Sequence, residues 1–223
     1  MLRLENVDVH VEGVHVLRSI SFALVEGAVT GLVGRNGAGK TTTLRCVMGL
    51  VPHTAGAIRL GDTRLDDHPA HTRTALGIGY APEDRRLFGA FSVEDNLRLP
   101  MEVLKCPADE IDARLEEVFE LLPEVAAMRK RPAGSVSGGE GKMVALGRAL
   151  VTGQRLVLLD EPFQGLAPAL ASRYAAALHR LRERADAPTL LITESNPALL
   201  ADLADTMLII ERGEIHAEAA EAV

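Results

Sequence analysis

Gly34-Arg35-Asn36-Gly37-Ala38-Gly39-Lys40-Thr41-Thr42 is the stretch on which the reading of this chain turns. It fits G-x-x-x-x-G-K-[ST], the pattern of a phosphate-binding loop. Such a loop needs a strand before it and a helix after it. Val29 to Val33 is an apolar run that reads as a buried strand, and Thr41 to Met48 reads as a helix. The glycines let the backbone curl until successive N–H groups point inward as an anion nest. The helix N-terminus adds partial positive charge. In this frame Lys40 reaches the β- and γ-phosphates and the Thr41 hydroxyl ligates Mg²⁺. All nine residues are candidate ATP-binding positions, with ATP and Mg²⁺ as the cofactors. The alternative is a Gly-rich turn that binds nothing, which the joint presence of glycines, Lys and Thr disfavours.

Downstream, Leu156-Val157-Leu158-Leu159 runs into Asp160-Glu161. A strand apolar on both faces belongs at the centre of a parallel sheet. Open α/β sheets bind ligands at the carboxyl ends of their strands. Asp160 there can hold a Mg²⁺-bound water, and Glu161 can polarise water for attack on the γ-phosphorus. Taken alone the pattern is equally a strand ending in a solvated turn. Following a phosphate loop, it gains force.

Ser137-Gly138-Gly139-Glu140 is a third feature. S-x-x-E is a capping box, and a helix from about Gly141 to Val151 follows. Two adjacent glycines are costly in a cap unless something approaches the backbone. A hydroxyl and bare N–H groups at a helix N-terminus form a second phosphate site, which a two-fold dimer could bring onto the other subunit's ATP.

Around these features strands and helices alternate. Strands are expected at 2–9, 14–25, 29–33, 57–60, 78–81, 156–160, 189–193, 206–210 and 214–216. From Ser92 to Leu150 no strand is expected. Ser92-Val93-Glu94-Asp95 opens a helix with a capping box. Asp109 to Leu122 puts Ile111, Leu115, Val118 and Leu122 on one face. Pro168 to Arg184 and Pro197 to Leu203 read as further helices. The pattern is α/β with a helical lobe inserted between two halves of the core.

The chain has 223 residues and a net charge of −7, which argues against non-specific nucleic-acid binding. Cys46 and Cys106 stand apart and read as small hydrophobes. No run reaches the roughly 18 apolar residues of a membrane span, and Met1-Leu2-Arg3-Leu4-Glu5 lacks a signal-peptide block. A soluble, cytoplasmic protein is expected, with any membrane span supplied by another chain.

Over nearly its whole length the sequence resembles the ATP-binding subunit of an ABC transporter. Gly34 to Thr41 matches the Walker A loop. Val136-Ser137-Gly138-Gly139-Glu140 matches the signature, with Val for the usual Leu and Glu for the usual Gln. Leu156 to Asp160 matches Walker B, and Glu161 falls on the catalytic base. The resemblance implies a P-loop NTPase of ABC-ATPase fold: a mostly parallel core sheet with N-terminal antiparallel strands and an inserted helical lobe. It implies one domain over 1–223, with 1–88 and 152–223 as core and 89–151 as the lobe carrying the signature. The segments from Ile78 to Leu97 and from Asp160 to Pro168 resemble the branched-chain amino acid importer ATPases. Pro82-Glu83-Asp84-Arg85-Arg86, with Glu83 at the usual Q-loop Gln, resembles the smaller of the two importer subunits.

The resemblance further implies partners: a second ABC ATPase subunit, either a different chain or a second copy, transmembrane permease subunits and, indirectly, a solute-binding protein. The chain would sit peripherally on the inner face of the cell membrane. Thr41, Asp160 and Glu83 would serve the metal, and Glu161 and Ser195 the hydrolysis. Ser137 to Glu140 would close on the partner's ATP. Arg85, Arg86 and Phe88 would meet a coupling helix of the permease. An ABC ATPase of lipid or polysaccharide export, or a slow-turnover regulatory subunit, are the alternatives.

Several positions depart from the family, among them the D-loop, where Gly165-Leu166-Ala167-Pro168 lacks the usual Asp. Glu12 stands near the position of the adenine-stacking aromatic, with His10 and His15 as possible substitutes. Ser195 stands where the switch His would fall, and could act through a bridging water. Lys142, after the signature, either contacts phosphate or faces water.

Overall fold

The computed structural model describes residues 1–217. β1 (Leu2–Val11) and β2 (Val14–Ala23) form a hairpin across Glu12-Gly13, whose φ values of 50° and 81° are the paired left-handed conformations of a tight two-residue turn. β3 (Val29–Val33) leads to helix α1 (Lys40–Val47). β4 (Ala55–Leu60), the two-residue β5 (Thr63–Arg64) and β6 (Ile78–Ala81) follow. Four helices come next: α2 (Val93–Val103), α3 (Ala108–Leu121), α4 (Pro123–Ala127) and α5 (Gly138–Thr152). β7 (Leu156–Asp160), α6 (Pro168–Arg182), β8 (Thr189–Glu194), β9 (Thr206–Glu211) and β10 (Glu214–Ala217) complete the described residues.

Two sheets result. The smaller is antiparallel, in the order β2-β1-β4-β5. The larger runs β10-β9-β3-β8-β7-β6, parallel except for the β10 edge. β3, β7 and β8 are buried at every residue, as expected of strands covered on both faces. Alternation divides them between two cores. Val157, Leu159, Leu190 and Ile192 face a core completed by α2, α3, α5 and α6. Leu156, Leu158, Leu191 and Leu32 face a second core shared with α1 and the antiparallel sheet. Helix α1 is thereby held between two sheets, and its N-terminus is fixed at the carboxyl end of β3.

The amphipathic reading of the middle holds: Ile111, Leu115, Val118 and Leu122 are all buried. Three local readings change. Helix α5 starts at Gly138 rather than about Gly141, because Ser137 caps it and both signature glycines fall within its first turn. The helix expected over Pro197 to Leu203 shortens to a single 3₁₀ turn, Pro197–Leu199. A 3₁₀ segment at Ala70–Leu76, unseen in the sequence, delivers Arg73 to the end of α1, where its guanidinium donates to the carbonyls of Cys46 (3.2 Å) and Val47 (2.6 Å). Cys46 is a buried free thiol whose pKa burial pushes up to about 11, the inert hydrophobe the sequence implies. Among the described residues no helix is long and apolar enough to cross a membrane.

Candidate functional site

The loop between β3 and α1 owes its path to two glycines. A Cβ on Gly34 would lie 2.3 Å from the Ile210 carbonyl oxygen, so only hydrogen fits there. Gly39, at φ 115°, makes the turn into α1. No side chain caps α1, whereas α2 and α5 both carry capping boxes. The first N–H groups of α1 are left for an anion, where the helix dipole favours one. They open into a cleft of about 290 Å³ lined by Asn36, Gly37, Gly39, Lys40, Thr41 and Thr42, with Val16, Glu83, Glu161 and Gln164 opposite.

Lys40 is buried within this cradle. Its ammonium donates to the Gly34 carbonyl at 2.6 Å and to the Ser195 hydroxyl at 3.1 Å, and pairs with Glu161 Oε1 at 3.0 Å. Ser195 also lies 2.8 Å from Asn36 Oδ1 and 3.1 Å from Glu161 Oε1. It has one proton to give and accepts from Lys40, so it ties loop, lysine and carboxylate into one network. The other oxygen, Glu161 Oε2, is buried with no hydrogen-bond partner among the described residues. An orphaned carboxylate oxygen in a polar cleft is an acceptor waiting for a donor.

Asp160 stands at the end of β7 with its carboxylate fixed by three hydroxyls: Thr41 and Thr193 each donate to Oδ1 at 3.0 Å, and Tyr80 donates to Oδ2 at 3.3 Å. Burial raises its pKa, against the lowering effect of these donors. Thr41 and Asp160 together offer hard oxygens of the kind Mg²⁺ prefers, and Glu83 lines the same cleft. Mg²⁺ characteristically takes few protein ligands and completes its shell with water and phosphate, which suits one hydroxyl and one carboxylate. The donor set therefore fits the ion.

The loop, Thr41, Glu83, Asp160, Glu161 and Ser195 are thus gathered at one place. Of the loop, Gly34 and Ala38 shape it from behind and Arg35 is exposed. Ser137 to Glu140 do not line this cleft. The Ser137 side chain accepts from Glu140 N–H at 3.2 Å, and the Glu140 carboxylate accepts from Ser137 N–H at 2.7 Å, so the capping box is real. A Cβ on Gly139 would lie 2.2 Å from the end of the Leu170 side chain, so α6 packs closely over that glycine.

Sequence reasoning missed three residues. Tyr80 and Thr193 hold Asp160 from positions distant in sequence, and Gln164 lines the cleft beside Glu161. Lys142 neither contacts the cradle nor simply faces water: it donates to the Glu161 carbonyl at 2.6 Å. The histidine alternative also changes. His10 and His15 stack on each other, centroids 4.2 Å apart, and His15 bonds Asp8 at 2.7 Å. The β1–β2 hairpin presents Val16, not an imidazole, to the cleft, and Glu12 is exposed at the turn.

Comparison with known proteins converges on one family. Residues 17–164 match the family model described as ABC transporter. A probable branched-chain amino acid transport ATP-binding protein, LivF, of Archaeoglobus fulgidus is 31% identical over 96% of this chain and 90% of its own length. The high-affinity branched-chain amino acid transport ATP-binding protein BraG of Pseudomonas aeruginosa is 33% identical over 96% and 91%. The lipopolysaccharide export ATP-binding protein LptB of Escherichia coli strain K12 is 33% identical over 96% and 88%. Among solved structures, an ATP-binding cassette of an ABC transporter in its ADP conformation superposes with a TM-score of 0.84 at 25% identity, covering 98% of this chain and 90% of that one. A dimeric bacterial cassette, 21% identical, shares the fold over the whole of both chains with a TM-score of 0.86.

Proposed function

This chain belongs to the ABC transporter ATP-binding family and hydrolyses ATP, and from that premise we propose that it is the energy-coupling subunit of an importer for branched-chain or related amino acids or amides. The observation that carries the reading is the 31–33% identity to LivF and BraG over about nine-tenths of both chains. LptB, at 33%, supports a second reading in lipid export.

The geometry supports a division of labour. The loop N–H groups and Lys40 bind the triphosphate tail and orient it. Thr41 and Asp160, with Glu83 beside them, would hold Mg²⁺, which would offset the negative charge of the phosphates. Glu161, through its unpartnered Oε2, accepts a hydrogen bond from the attacking water and fixes its direction or takes its proton. Ser195 keeps that carboxylate beside Lys40. A valine wall in place of an aromatic leaves affinity to the phosphate contacts and reduces selectivity for the base.

The separation of Ser137–Glu140 from the cradle supports its service to a partner's ATP, in a pair with a second ABC ATPase subunit alongside transmembrane permease subunits. The partition into core (1–88, 152–223) and lobe (89–151) remains part of this proposal, as does a peripheral place on the inner membrane face. Co-purification with the permease, followed by ATPase assays against candidate solutes, tests it. Stimulation by a branched-chain amino acid or an amide supports the reading. Stimulation by lipopolysaccharide or another lipid alone rejects it.

A further inference from the structure

The backbone of Glu161 is held in an unusual way. Its φ is 44°, a left-handed conformation uncommon for a non-glycine residue. Its N–H donates to the Thr193 hydroxyl at 3.0 Å, and also lies 3.2 Å from the Thr193 carbonyl. Its carbonyl accepts from Lys142 at 2.6 Å. One side of the residue is therefore fixed by the core strand β8. The other is fixed by a side chain from helix α5, the helix that begins with the signature residues. The Lys142 ammonium is part-buried, faced by the carboxylates of Glu194, Glu83 and Glu161.

We infer that Lys142 is a positioning residue that clamps the peptide of Glu161 and so ties the signature helix to the water-orienting carboxylate of its own chain. The inference rests on the reading of Glu161 given above. Its consequence is communication between two nucleotide sites. The first turn of α5, Ser137 to Glu140, is proposed to press on the partner's ATP. Lys142 lies at the next turn of the same rigid helix and touches this chain's own catalytic strand end. Any rotation of α5 against the sheet shortens or stretches the Lys142–Glu161 bond, and with it the aim of Oε2. A signature correctly seated on one nucleotide thereby sets the carboxylate that acts on the other.

The test is Lys142→Met, which keeps the aliphatic stem and removes the donor, beside Lys142→Arg, which keeps a charged donor. Both are assayed in the full-length chain for basal ATP hydrolysis, for affinity toward a fluorescent ATP analogue, and for melting temperature. A charge-assisted bond to a carbonyl predicts a fall in kcat of about tenfold or more for Lys142→Met, with affinity within about twofold of wild type. Lys142→Arg is expected to recover most of the lost kcat. Wild-type kcat in Lys142→Met overturns the proposal. So does parallel loss of kcat, affinity and melting temperature, which assigns Lys142 to packing alone. If Lys142→Met does not fold, Lys142→Gln, too short to span to the carbonyl, takes its place and the same outcomes decide. Retained hydrolysis in Glu161→Gln is a different result: it refutes the role given to Glu161, whatever Lys142 does.

Discussion

Lys40 and Glu161 form an ion pair 3.0 Å long, both side chains nearly excluded from solvent, across the gap between the phosphate loop and the end of β7. A buried pair of this kind is strongly destabilised when one member is removed, because the other is left charged and alone. Under the proposed function, a phosphate tail entering the cradle would compete with Glu161 for the same ammonium, and the pair would link nucleotide binding to the freeing of the carboxylate.

Lys40→Ala is therefore expected to weaken ATP-analogue binding by about a hundredfold, the loss of a charge-assisted donor set. Isothermal titration checks this. Binding that survives with unchanged affinity would remove Lys40 from the site.

Glu161→Gln keeps the shape of the side chain and removes the basic oxygen. Expected is a fall in kcat of about a hundredfold or more with nucleotide affinity retained. Single-turnover hydrolysis alongside equilibrium binding separates the two effects. Equal loss of both would mean that Glu161 binds rather than activates.

Ser195 holds Asn36, Lys40 and Glu161 together through one hydroxyl. Ser195→Ala is expected to lower kcat by roughly tenfold, the worth of one or two hydrogen bonds to charged groups. Unchanged kcat would show that the network orders the loop without serving hydrolysis.

Glu194 is 2% exposed, and burial raises its pKa from the ordinary 4.5 to about 7. The folded chain then holds this proton more tightly than the unfolded chain. Between about pH 4.5 and 7 the unfolded state loses the proton first, so stability falls as pH rises, and levels off above 7. The total is about 3 kcal/mol. Glu194→Gln is expected to match wild type near pH 4.5 and to exceed it at pH 8, as read by urea denaturation. Identical pH profiles for the two proteins would refute the shift.

Gly34→Ala places a methyl carbon against the Ile210 carbonyl, at 2.3 Å from its oxygen. The loop must shift, at a cost of about 1–3 kcal/mol in stability and with loss of nucleotide binding. Thermal melts and titration of the same sample check both effects.

How far could the sequence go alone? The phosphate loop, its flanking strand and helix, the two acids after β7 and the capping boxes at Ser92 and Ser137 were all legible. Each is local: glycine conformation, a cap or a run of apolar residues is decided within a few neighbours. The unbroken apolar run of β7 even announced burial on both faces. Where local rules overlap, reading faltered. The sequence places the start of α5 at about Gly141, whereas Ser137 caps it and Gly138 and Gly139 fall within its first turn.

The rest needed the chain brought together. Tyr80 and Thr193 hold Asp160, Arg73 ends α1, and Lys142 reaches Glu161, each across a gap in sequence that no periodicity spans. The two histidines offered as stacking partners stack on each other, one face of each ring being taken. Sequence determined which residues are candidates for phosphate chemistry, since that chemistry lives in residue type and short spacing. Tertiary structure decided who holds those residues in place, because an orienting hydrogen bond depends on which strands become neighbours, and that follows from how two cores pack on either face of one sheet.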